Sequence, residues 1–176
     1  MSVFSVFKNK PFAVLLAFLL LLLDGHLSLL LRILFHNQFI VSSHLLILLF
    51  LFYTIIFNPY FVFILAFLLG LIYDFYYLGI YNFGIMTLLF PLIAVVMIKI
   101  WKHVSSERPL SRFLVFFILL FFLDFTSIAI AYFYQLTAYP LNDFITYNLA
   151  PSLIFNTLAF LLLQKLLEKI YLERRR

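Results

Sequence analysis

Leu45-Leu-Ile-Leu-Leu-Phe-Leu-Phe-Tyr-Thr-Ile-Ile-Phe57-Asn58-Pro59-Tyr60-Phe-Val-Phe-Ile-Leu-Ala-Phe-Leu-Leu-Gly-Leu-Ile-Tyr73 contains no charged residue and one interruption, Asn58-Pro59. Taken without the break, the stretch is one long tilted helix or a re-entrant pair. Taken with it, two spans meet in a tight hairpin. Asn-Pro is a strong breaker, because proline restricts the residue before it and donates no backbone hydrogen bond. The hairpin reading fixes the number of spans, and with it the orientation of everything downstream.

The rest of the chain has the same character. Of its 176 residues 66% are hydrophobic and only 11% charged, and the mean hydropathy is +1.17. The bilayer is the solvent such a composition calls for. A span needs roughly 20 apolar residues, so the length allows about six with short connections. The expectation is an all-α integral membrane protein, one polytopic domain over 1–176, with spans near 11–34, 39–57, 60–78, 80–100, 112–135 and 145–167. Lys8 and Lys10 before the run Pro11 to Leu23 imitate a signal peptide. Asp24-Gly25-His26 and then Leu27 to Leu34 follow without a small-residue cleavage site, so the segment reads as an uncleaved anchor.

The basic residues set the orientation. Lys8, Lys10, Lys99, Lys102, Arg108, Arg112, Lys165, Lys169 and Arg174 to Arg176 fall on one side of a six-span arrangement, leaving Arg32 alone of the twelve on the other. By the positive-inside rule both termini and the 99–112 loop are cytoplasmic, and the chain belongs in the cell membrane. The net charge of +5 therefore reports orientation and gives no sign of a nucleic-acid partner. Cysteine is absent, which removes disulfides, thiol nucleophiles and thiolate metal sites. His26, His36 and His44 show no metal-ligand spacing, and no cofactor motif is present.

Asp24, Asp74 and Asp124 lie inside spans one, three and five, which run parallel. At 1.5 Å per residue their depths from the cytoplasmic side are roughly 18 to 21 Å. Buried carboxylates at that depth are costly, so each is expected to face the bundle, a cavity or a partner. One account makes them structural, fixing register through hydrogen bonds; another makes them functional. An enzyme built on them lacks a second catalytic group at recognisable spacing. In span six, Asn148, Ser152 and Asn156 recur every four residues and share a face with Pro151 among them. That stripe serves either hydrogen bonding within the bundle or docking of a foreign helix. Ala13 with Ala17 and Ser127 with Ala131 are small pairs at helical spacing where backbones can approach. The end of the chain, Lys165 to Arg176, suits anionic lipid headgroups.

Gly70-Leu-Ile-Tyr-Asp74-Phe-Tyr-Tyr-Leu-Gly79-Ile-Tyr-Asn-Phe-Gly84, continuing into Thr87-Leu-Leu-Phe-Pro91-Leu, resembles the signature of the rod shape-determining protein MreD family, with Gly70, Asp74, Gly79 and Gly84 carrying the likeness. Leu23-Asp24-Gly25-His26-Leu27-Ser28 is similar to the Asp-Gly-x-Leu-Ser pattern of its Gram-positive members, and Pro151-Ser152 with Asn156 fits the last span. The resemblance implies a non-enzymatic scaffold of cell-wall elongation and peptidoglycan synthesis, bound to the bitopic protein MreC. It further implies a SEDS glycosyltransferase, a class B penicillin-binding protein and, where present, MreB as partners. No catalytic residue comes with it.

A rival of similar size and span number is the substrate-binding S-component of an energy-coupling factor vitamin transporter. Its small residues in span one touch a transmembrane partner, with which Ala13 and Ala17 are compatible, but its outer loops must close over a ligand, and those here are short and mostly apolar. Two further expectations follow from the residues. The Asn148, Ser152, Asn156 stripe and the Ser127, Ala131 ridge are the faces offered to a single-span partner, and Asp74→Asn is tolerated where Asp74→Leu is not.

Overall fold

Prolines mark where helices begin. Pro11, Pro59 and Pro109 each stand in a first helical turn, where the missing N–H has no intrahelical partner to lose. The computed structural model describes residues 7–78 and 84–172, and among these every regular element is helical. Six helices follow in order: α1 (Lys10–Leu34), α2 (Leu45–Ile56), α3 (Pro59–Tyr73), α4 (Ile85–Ile100), α5 (Pro109–Phe133) and α6 (Leu141–Leu172). Asn58 caps α3 by accepting the Tyr60 N–H at 2.9 Å, so the Asn-Pro break is a hairpin.

α1, α3 with its extension, α5 and α6 are long and apolar enough to cross a membrane. The other two are shorter. α2 has 12 residues and α4 has 16, giving lengths of about 18 and 24 Å against a hydrocarbon core of about 30 Å. Spans expected to be helical from 39 and from 80 begin instead at Leu45 and Ile85; residues 39–44 form no helix, and 80–83 lie outside the described residues. A short helix at membrane depth leaves its first N–H groups without water, and each such group costs on the order of several kcal/mol.

α2 is the central post, touching all five other helices. Leu46 to Thr54 are buried without a gap, in keeping with a helix that is apolar all round. The Tyr53 hydroxyl donates to the Ala13 carbonyl at 3.0 Å, and the Trp101 indole N–H to the Thr54 hydroxyl, also at 3.0 Å. Ala13 and Ala17 are fully buried against this post. α3 and α4 make the most extensive helix pair. Gly70 permits it, since a Cβ there would lie 2.5 Å from the Met86 carbonyl oxygen.

Candidate functional site

The polar residues within the apolar helices converge on the starts of the two short helices. Ser42, Ser43, His44, Leu45 and Leu46 run into α2, and all five of their backbone N–H groups are taken by side chains of α1 and α6. Asp24 accepts Leu45 N–H at 2.8 Å and Leu46 N–H at 2.9 Å, one on each oxygen, and the Ser43 hydroxyl at 2.6 Å. Ser28 accepts Ser43 N–H at 2.9 Å. From α6, Ser152 accepts Ser42 N–H at 2.8 Å and Asn156 accepts His44 N–H at 2.8 Å. The Asn156 amide also donates to the Ser42 carbonyl at 2.7 Å. His44 caps α2 in position but not with its own side chain; Asp24 does that work from another helix.

Pro151 supplies a further link. A proline inside a helix leaves the carbonyl four residues back without its usual donor, which here is that of Tyr147. α6 widens into a π-type turn over Ile145–Leu149, and the Tyr147 carbonyl accepts the Ile40 N–H at 2.8 Å. Residues 40 to 46 are thus stitched to α6 and α1 along their length.

Asp74 performs the same service for α4. It accepts Gly84 N–H at 2.9 Å, Met86 N–H at 2.9 Å, Thr87 N–H at 2.8 Å and the Thr87 hydroxyl at 2.6 Å. α3 passes into a π-type turn at Asp74–Leu78, and Gly84 turns the chain back with a left-handed φ of 104°. Gly79 lies outside the described residues.

Asp124 differs. One of its oxygens meets His44 Nε2 at 2.9 Å, and the other is buried without a hydrogen-bond partner among the described residues. Asp124, Ser127, Ala131 and Asn148 share the wall of a cavity of about 410 Å³. Ser127 bonds the Asp124 carbonyl at 2.8 Å.

The candidate residues therefore fall into three groups: Asp24, Ser152 and Asn156 at the start of α2, Gly70, Asp74 and Gly84 in the α3–α4 pair, and the four around the cavity. Within the Asn148, Ser152, Asn156 stripe, two positions serve the chain's own backbone. Ser152 and Asn156 are 0% exposed and bonded to Ser42 and His44. Only Asn148 is partly exposed.

Sequence reasoning missed His44, which it weighed only as a metal ligand; Ser-Ser-His directly before an apolar run was an available capping signal. It also missed the buried Arg112, which pairs with Glu168 and donates to the Ser106 carbonyl. No group of three metal-ligating side chains occurs among the described residues.

A family profile described as rod shape-determining protein MreD matches residues 8–174. The chain is also similar to the cell shape-determining protein MreD of Streptococcus pneumoniae, 34% identical over 168 residues that cover 96% of each chain. No solved structure matches. With all eleven candidate residues inside the matched range, this chain belongs to the MreD family of rod shape-determining proteins, a membrane protein with a role in cell shape.

Proposed function

We propose that the chain is a multi-pass scaffold of the cell membrane that catalyses nothing and holds a single-span, MreC-like protein within the cell-wall elongation machinery. A SEDS glycosyltransferase and a class B penicillin-binding protein are the enzymes it would gather, with MreB where that filament exists. Both termini are cytoplasmic in this reading, as the basic residues require.

The supporting observation is where apolar surface is left once the polar groups are assigned. Asp24, Asp74, Ser152 and Asn156 are engaged in holding the chain's own backbone. Between α1 and α6 lies an apolar groove of about 440 Å³, lined by Leu31, Phe35, Val41, Ala150, Ile154 and Leu158 among others. Ile154 is 64% exposed there. Small and aliphatic residues in such a groove suit close van der Waals packing, which drives helix association in lipid.

Ala150→Trp and Ile154→Trp fill the groove from positions whose native side chains make no hydrogen bond. They are expected to leave the folded bundle at wild-type yield, abolish co-purification of the MreC-like protein and round the cells. Undiminished capture would place the partner elsewhere. The S-component reading is disfavoured by Ala13 and Ala17, which are packed against α2 and not offered outward.

A further inference from the structure

The three membrane-depth carboxylates are not equivalent. Asp24 and Asp74 each engage both oxygens with N–H and O–H donors. Asp124 engages one, and its Oδ2 has no partner among the described residues. An ionised carboxylate can accept about four hydrogen bonds, and leaving one of its oxygens unmatched in a low-dielectric interior is unfavourable.

Beside it lies the cavity of about 410 Å³, whose wall includes His44, Tyr73, Asp124, Thr137, Tyr139 and Asn148. Contrary to the expectation that the outer loops are too short and apolar to close over anything, Thr137 and Tyr139 come from the connection before α6. The volume is at the small-molecule end of the range for binding sites. The described lining holds no lysine or arginine, and among the described residues His44 is the group that meets Asp124. Tyrosine rings in the wall favour a cation. Asn148 sits in the π-type turn of α6, a distortion that recurs at ligand sites.

We propose that this cavity binds a primary ammonium group, which donates to Asp124 Oδ2 and completes the carboxylate. Because Oδ2 is itself sealed from solvent, the carboxyl group turns slightly about its Cβ–Cγ bond to meet the donor. A soluble amine and an aminoethyl phospholipid headgroup both carry that chemistry. The inference stands apart from the partner-holding role, since the groove between α1 and α6 has a different lining.

The test uses the full chain in phosphatidylglycerol nanodiscs. One arm titrates ethanolamine; a second adds phosphatidylethanolamine to the bilayer; melting temperature and native mass spectrometry report binding. A saturable rise with ethanolamine assigns a soluble amine, and a rise with retained lipid only in the second arm assigns a headgroup. Asp124→Asn is expected to weaken binding by about tenfold or more, the effect of losing one charge-assisted hydrogen bond. Asn148→Trp, which fills the cavity while leaving the residues His44 and Asp124 themselves unchanged, is expected to do the same and decides the matter if Asp124→Asn does not fold. No stabilisation of the wild type in either arm, or equal stabilisation of both variants, overturns the proposal. A protonated-carboxyl infrared band lost in Asp124→Asn, in a protein that binds neither amine, would show that a proton completes Asp124 instead.

Discussion

Asp74 and Thr87 are joined twice: one carboxylate oxygen accepts both the threonine hydroxyl, at 2.6 Å, and its backbone N–H, at 2.8 Å. With Gly84 and Met86 on the same carboxylate, all four partners are donors. Asparagine supplies one acceptor oxygen and turns an NH2 group toward donors. The sequence-based expectation that Asp74→Asn is tolerated therefore gives way to a different one. Asp74→Asn is expected to lower stability by about 2 kcal/mol or more, close to Asp74→Leu. Thermal unfolding in detergent measures it, and a near-wild-type melting temperature for the asparagine variant would refute the account.

Asn156→Leu removes an acceptor from His44 N–H and a donor to the Ser42 carbonyl together. The expected result is loss of monodisperse protein, by roughly 2 to 3 kcal/mol of stability, before any effect on a partner is visible. Size-exclusion profiles of Asn156→Leu beside Asn148→Leu separate the two positions, because the second leaves the start of α2 untouched. Equal profiles would count against the burial argument.

Two glycines matter for opposite reasons. At Gly70 an added methyl meets backbone of the neighbouring helix, Met86 carbonyl and Thr87 Cα, so Gly70→Ala should push α3 from α4 and destabilise strongly. At Gly84 there is open space but a left-handed φ, and Gly84→Ala should cost only about 1 to 2 kcal/mol. Chemical denaturation that ranks Gly84→Ala as the more damaging would reverse this assignment.

Arg112 is fully buried while Glu168 is partly exposed. Removing the acid leaves a buried cation, so Glu168→Gln and Arg112→Met should each be destabilising, by about 3 kcal/mol or more where the charge is left unpaired. The double variant is expected to be less damaged than the sum of the two. Additivity in a double-mutant cycle would mean that the pair is not coupled.

Orientation is accessible to labelling, since the chain has no native cysteine. Ser105→Cys should react only when the cytoplasmic side is opened, and Asp143→Cys in intact cells. External reaction at 105 would end the six-span, N-in arrangement.

The helical class and the six helices were legible because apolar runs and breakers such as Asn58-Pro59 report them directly. The starts of α2 and α4 were not. Phe39-Ile40-Val41 is as apolar as a helix and yet no helix forms there, since hydropathy records where a residue is comfortable and not its backbone geometry. The aspartates were visible as costly residues at one depth, and Ser152 and Asn156 as part of a polar stripe on one helix face. Their partners were invisible because the donors are backbone N–H groups, which every non-proline residue carries. His44 required knowing that α5 places Asp124 beside it, a pairing across 80 positions that no local pattern encodes.

The side chains that complete the start of α2 come from helices far apart in the chain, α1 and α6. Ser42 and His44 are synthesised 110 and 112 residues before the Ser152 and Asn156 that serve them. Until α6 is in place those two N–H groups lack their acceptors, whereas Leu45 and Leu46 already have Asp24 of α1. A chain stopped short of residue 150 would keep most of its apolar surface but lack the acceptors for the Ser42 and His44 N–H groups.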